Sequence, residues 1–197
     1  MINYKAIISI IIVLTQISAS LLYIIDTLKG KTKPNRVSFL LWGVMVIAGS
    51  ASLSAGFSWA NLPVIVAGAG PLIIFLCSFV NKNAYWKLKA LDYICGLFAV
   101  LALILWWLTK NPLLAIFFAI FADILASIPT LIKIANHPET ETKKSYYLYA
   151  IAHTFNLLTI STWIITETAS PIYLFIINWI FVGAFYLKRG KHEKTNN

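Results

Sequence analysis

A single carboxylate lies in the middle of an otherwise apolar stretch of this chain. The segment IFFAIFADILASIPTLI, residues 116–132, contains Asp123 as its one charged residue. An ionised side chain costs at least about 2.5–3.5 kcal/mol at the centre of a membrane, so such residues usually face a cavity or a partner and often carry protons. We therefore take Asp123 as the first candidate for binding a solute or transferring a proton.

Four further polar side chains fall inside apolar runs, namely Gln16, His153, Asn156 and Asn178. At about 1.5 Å per helical residue, both asparagines and Gln16 come close to the centre of their runs, as Asp123 does. His153 precedes Asn156 by three residues and shares its helical face. The sequence predicts a central binding site of these five residues. Interhelical hydrogen bonds, worth about 0.6–2 kcal/mol each, are the alternative role for each amide, and packing as a polar residue is the alternative for His153.

The composition indicates the class of protein that would position these residues. The 197-residue chain is 59% hydrophobic and 12% charged, with a mean hydropathy of +0.79. About 20 apolar residues are needed to cross a bilayer as a helix. We predict an all-α polytopic membrane protein with seven transmembrane helices. The seven runs cover approximately residues 4–28, 37–57, 61–80, 88–108, 112–134, 146–166 and 171–187.

The net charge of +9 is distributed unevenly along the chain. Of the 16 basic residues, all except Lys5 and Lys110 lie on alternate connections and on the C-terminal tail. Basic residues accumulate on the cytoplasmic side of membrane proteins, so we expect the N-terminus outside and the C-terminus in the cytoplasm of a cell-membrane protein. Topology and contact with anionic lipids explain this charge better than a nucleic-acid partner does.

The spans also suggest an internal duplication. A shift of 107 residues aligns 19–82 with 126–189 without a gap and pairs Gln16 with Asp123. Internal repeats are common in transporters. We expect a parallel 3+1+3 repeat, with an unrelated seven-helix bundle as the alternative. The expected units are residues 1–80, a connecting helix in 81–110, and residues 111–197 with the basic tail.

A motif at the end of the fifth run supports this arrangement. The segment ASIPTLIKIANHPETETKKSYYLY, residues 126–149, resembles a PQ-loop motif. Pro129, Lys133 and Ser145 match its positions, whereas Thr130 stands where glutamine is usual.

The corresponding segment of the first half is SLLYIIDTLKGKTKPNRVSFLLW, residues 20–42. It keeps the basic loop and Ser38, and it has Leu22 and Tyr23 in place of the proline–glutamine pair. On these residues the chain resembles the PQ-loop, SWEET-like transporters. The resemblance implies the 3+1+3 plan, an N-terminus outside, and transport of a small solute.

Two prolines and one loop complete the expectations. Pro71 and Pro129 lie inside apolar runs, where proline kinks a helix, and we expect them to act as hinges. The charged segment PETETKK, residues 138–144, is expected to be a solvated turn.

The sequence favours a transporter that moves a small polar solute, such as a sugar, amino acid or vitamin-like compound, by alternating access. Proton coupling through Asp123 is an open part of this hypothesis. A non-transporting receptor or assembly factor on the same fold is the alternative. The chain has no HExxH pair, nucleophile elbow or paired intramembrane aspartates, so we expect no enzyme, cofactor or metal. The expected partners are the solute and the lipid bilayer, and a homo-oligomer is left open.

Overall fold

The computed structural model describes residues 4–51, 62–109 and 111–187, and it is helical throughout its regular structure. Each predicted apolar run corresponds to one helix. Short 3₁₀ turns, Lys82–Ala84 and Pro138–Thr140, precede α4 and α6. In chain order, the seven helices of the described residues are α1 Tyr4–Leu28, α2 Arg36–Ala51, α3 Leu62–Cys77, α4 Ala90–Leu108, α5 Pro112–Asn136, α6 Lys143–Leu157 and α7 Ile165–Ala184.

The prediction of an all-helical protein is confirmed. Four of the helices, α1, α4, α5 and α7, are long and apolar enough to cross a membrane. Helix α6 is shorter than the predicted run 146–166, since it ends at Leu157 and α7 begins at Ile165. Lys110 and the basic tail, residues 188–197, lie outside the described residues.

Large apolar side chains cover much of the outer surface of the helices. Examples are Leu76, Leu97, Trp107 and Phe117, each more than half exposed. Exposed apolar area of this extent is unfavourable in water, because transfer to an apolar medium gains about 25 cal/mol per Å². This surface is consistent with a protein whose helices are surrounded by lipid.

Local sequence explains where several helices begin. Asn111 caps α5 by accepting hydrogen bonds from the backbone N–H groups of Leu113 and Leu114, and Pro112 occupies the first helical position. Asn35 caps α2 in the same way through its side-chain carbonyl. These caps satisfy backbone donors that a helix leaves unpaired at its N-terminus.

The helices pack around a common centre. Helix α3 contacts both α1 and α2, and α7 contacts both α5 and α6. The two sets are joined where α1 meets α6 and where α2 meets α5. Helix α4 packs against α5 and α2.

Small and hydroxyl residues hold these crossings together. A Cβ atom added at Gly70 of α3 would collide with the Ser20 hydroxyl of α1, so glycine permits the close approach of the two helices. Ser20 and Tyr149 share a hydrogen bond of 2.7 Å between α1 and α6. On the opposite side, the Ser38 hydroxyl donates to the Ala126 carbonyl at 2.6 Å and joins α2 to α5.

Candidate functional site: a central polar cavity

A cavity of about 130 Å³ lies at the centre of the helices. Side chains from every helix except α4 line it. Its wall is mostly apolar and aromatic, with a small number of polar groups, which is the usual character of a small-molecule site.

Four of the five residues predicted for a central site line this cavity, namely Gln16, Asp123, His153 and Asn178. Asn156 is not among the lining residues. Because α6 ends at Leu157, Asn156 lies in the last turn of its helix and not near the middle of a span. The Thr159 hydroxyl donates to the backbone carbonyl of Asn156 at 2.7 Å and approaches its side-chain oxygen at 3.3 Å.

Asp123 is held by two hydroxyl groups. The Tyr173 hydroxyl of α7 donates to Oδ2 at 2.5 Å, and the Ser127 hydroxyl, one turn along α5, donates to the same oxygen at 3.3 Å. Among the described residues no hydrogen bond reaches Oδ1, and no basic side chain forms an ion pair with this carboxylate. The carboxyl group is therefore oriented by neutral donors, and no cation among the described residues compensates it when it is ionised.

Sequence analysis did not identify Tyr173. The residue lies two positions after Pro171 in an apolar run and carries no distinguishing pattern. Its role follows from α7 packing against α5, which brings the hydroxyl to Asp123.

Two buried polar atoms beside the cavity have no hydrogen-bond partner among the described residues. They are Oε1 of Gln16 and Nδ1 of His153. The amide nitrogen of Asn178 donates to the Leu174 carbonyl at 2.9 Å, which leaves its side-chain oxygen for another donor. Leaving a buried polar atom unsatisfied costs about 1–3 kcal/mol, and a bound ligand that pairs with it recovers this free energy.

Five aromatic rings close one end of the cavity and form a circuit of contacts. We call this set the five-ring cluster, and all its members line the cavity. Neighbouring ring centroids are 4.8–6.2 Å apart, within the range of favourable aromatic pairs. In order around the circuit they are Tyr23, Phe39, Trp42, Phe181 and Tyr146.

A buried ion pair lies directly behind this cluster. Lys133 Nζ and Glu141 Oε1 are 2.6 Å apart, and both side chains are almost fully buried. The hydroxyl groups of Tyr23 and Tyr146 both donate to Glu141 Oε2. Lys133 also donates to the carbonyl of Lys33, on the loop between α1 and α2.

The expectation of a solvated turn at 138–144 is therefore wrong for Glu141. Glu139 in the same segment is 68% exposed, as expected. Local sequence does not distinguish these two glutamates, because each lies in a short run of polar residues. Glu141 is buried because the loop folds back between α1 and α5, where Lys133 and two tyrosine hydroxyls satisfy its carboxylate.

The two predicted hinge prolines occupy different places. Pro71, inside α3, lines the central cavity. Pro129, inside α5, lines a second pocket of about 150 Å³ together with Trp86, Lys133 and His137.

Within the described part of the chain, no group of three or more His, Cys, Asp or Glu side chains is placed to hold a metal ion. Comparison of the sequence and structure with protein-family models, curated proteins and solved structures finds no match.

Proposed function

We propose that this protein is a multi-pass transporter of the cell membrane that moves a small solute through the central cavity by alternating access. The observation that carries the proposal is the cavity itself, in which Asp123, Gln16, His153 and Asn178 meet with no lysine or arginine among the described lining residues. Unpaired polar groups in an apolar enclosure reduce stability unless a ligand or water satisfies them. A binding function accounts for them better than a structural role does.

We further propose that the helices form the parallel 3+1+3 repeat, with units 1–80, 81–110 and 111–197. The shift of 107 residues carries Arg36 to Lys143 and Cys77 to Ala184, which are the first residue of α6 and the last residue of α7. The packing supports the same correspondence. Helix α3 contacts α1 and α2 as α7 contacts α5 and α6, and the α1–α6 crossing has its counterpart at α5–α2.

The proposed orientation has the N-terminus outside and the C-terminus in the cytoplasm, because the basic residues lie on alternate connections. In this orientation the five-ring cluster and the Lys133–Glu141 pair lie at the cytoplasmic end of the cavity. We propose that they close the cavity on that side. Membership of the PQ-loop, SWEET-like transporters, as the sequence resemblance implies, belongs to the same proposal.

We propose that Asp123 couples solute transport to the movement of a proton. It is the only carboxylate among the described residues that line the cavity, and its hydrogen-bond donors are neutral hydroxyls. A carboxylate in this setting can exchange a proton when the cavity opens to either side. We propose no catalytic role for the site.

Cysteine accessibility tests alternating access directly. In a background with Cys77→Ala and Cys95→Ala, a cysteine is introduced by Asn178→Cys in the cavity or by Ile180→Cys on the exposed face of the same helix. Sealed vesicles of each orientation are treated with a membrane-impermeant thiol reagent.

An alternating-access transporter exposes the Asn178→Cys thiol to water from each side in turn, so we expect labelling in both vesicle orientations. The Ile180→Cys thiol faces lipid and should remain unlabelled in both. Labelling of Asn178→Cys from neither side would favour the non-transporting receptor or assembly factor, and labelling from one side alone would reject alternating access.

A further inference from the structure

We propose that the solute is a small organic cation, an inference that rests on the transport function proposed above. The first observation is the charge of the cavity. Asp123 supplies a carboxylate, and the lining residues of the described chain include neither lysine nor arginine. With His153 neutral, the negative charge of an ionised Asp123 can be balanced only by a positively charged solute, and otherwise the carboxylate must take up a proton.

The second observation is which hydrogen-bonding atoms remain available. The hydroxyls of Tyr173 and Ser127 donate to Asp123, and those of Tyr23 and Tyr146 donate to Glu141. The Tyr149 hydroxyl is paired with Ser20. The tyrosine hydroxyls around the cavity are thus already committed to other groups.

The atoms left over include acceptors and a few donors. Gln16 Oε1 and Asp123 Oδ1 are acceptors, and the unpartnered Nδ1 of a neutral His153 can also accept. The amide N–H groups of Gln16 and the Nε2–H of a neutral His153 are donors, so the choice of a cation over a sugar depends on the carboxylate and not on hydrogen bonding alone. An ammonium group or a positively polarised C–H needs acceptors and negative charge, which this cavity provides.

The third observation is the aromatic wall. The five-ring cluster presents tyrosine, phenylalanine and tryptophan rings to the same cavity as Asp123. Aromatic faces attract organic cations through the ring quadrupole, and several rings around one site form the usual binding cage for quaternary ammonium groups. Trp42 is the strongest of these candidates, since tryptophan is the best cation–π partner.

The size of the cavity limits the cation. An engineered protein cavity of about 150 Å³ holds one benzene molecule, so about 130 Å³ corresponds to a solute of about five or six non-hydrogen atoms. Choline and N-methylpyridinium, with about seven each, are slightly larger than this. A disaccharide is several times too large for the cavity in this state.

The test uses the purified full-length protein and pairs of solutes that differ in charge. Choline is compared with its neutral carbon isostere 3,3-dimethylbutan-1-ol, and N-methylpyridinium and xylose are added as a ring cation and a neutral sugar. Binding is measured by thermal shift, and uptake by counterflow in proteoliposomes. We expect a cation to bind at least about 10-fold more tightly than the neutral isostere, because charge-assisted contacts contribute about 1.5–3 kcal/mol.

Substitutions test which side chains bind the cation. Asp123→Asn should weaken cation binding by about 10- to 100-fold and leave any binding of the neutral isostere unchanged. Glu139→Gln is the matched control, because it removes an exposed carboxylate that is not among the cavity-lining residues. Trp42→Leu should weaken cation binding by about 5-fold or more.

The outcomes separate this inference from the proposed transport function. Wild-type protein that does not distinguish choline from its isostere, or that binds xylose alone, would overturn the cation assignment, and this result requires no variant to fold. Alternating thiol labelling of Asn178→Cys would still support a transporter in that case. Equal loss of cation binding in Asp123→Asn and Glu139→Gln would also overturn the assignment, since it would indicate a general effect of net charge.

Discussion

Replacing Glu141 with glutamine removes one partner of the buried Lys133–Glu141 pair with almost no change in shape. The two side chains are 1% and 0% exposed, and their charged atoms are 2.6 Å apart. Breaking such a pair by removing one partner costs about 3–5 kcal/mol, because the other charge remains buried and uncompensated. Glutamine can still accept the hydrogen bonds from Tyr23 and Tyr146, so the loss reports mainly on the charge.

The assay is thermal unfolding of the purified protein in detergent. For a chain of 150–250 residues, 1 kcal/mol corresponds to about 2–4 °C, so Glu141→Gln should lower the unfolding temperature by about 6–20 °C. Glu139→Gln is the control from the same loop. Its side chain is 68% exposed and pairs with an exposed His137, so this substitution should cost no more than about 1 kcal/mol.

A double variant shows whether the uncompensated charge causes the loss. Replacing both partners with apolar residues, Lys133→Met with Glu141→Leu, removes both buried charges and should restore much of the stability lost in Glu141→Gln. Equal effects of Glu141→Gln and Glu139→Gln would refute the reasoning. The reasoning would also be refuted if the double variant lost as much further stability as an independent second substitution would cost. Removing the second buried charge would then have brought no gain.

Three further predictions concern helix packing and coupling. Gly70→Ala should lower stability by about 1–3 kcal/mol through overpacking against α1, whereas Gly183→Ala, with open space around the added methyl group, should be neutral in the same unfolding assay. Ser38→Ala should cost about 1–3 kcal/mol because it removes the hydrogen bond from α2 to α5. Ser145→Ala removes a buried hydroxyl that has no partner among the described residues and should cost nothing. Asp123→Asn should abolish uptake driven by an imposed pH gradient, because an amide cannot carry a proton. If pH-driven uptake persists in this variant, Asp123 is not the proton carrier.

Composition and pattern were sufficient to predict the helical class. Runs of about 20 apolar residues predict helices in any tertiary context, because a backbone in lipid must satisfy its own hydrogen bonds. Each predicted run corresponds to one helix of the described chain, although α7 begins at Ile165, six residues before its predicted run. Helix α6 shows the limit of this approach. Its apolar run continues beyond Leu157 and the helix does not, so Asn156 was predicted at the wrong place along its helix.

The polar residues that line the cavity could also be predicted from the sequence, because each stands alone in an apolar run. Gln16, Asp123, His153 and Asn178 stand out because burying a polar group is costly, and all four line one cavity. Their role as a solute-binding site stays a prediction.

The tertiary structure alone decided which groups surround those residues. Tyr173 and Glu141 look ordinary in sequence, since tyrosine is common in apolar helices and glutamate is common in polar loops. Each gains its environment from a residue far along the chain: Tyr173 from Asp123, and Glu141 from Tyr23 as well as the nearer Lys133. A hydrogen bond or ion pair depends on distances of about 3 Å between groups that only helix packing brings together, and no local pattern encodes those distances.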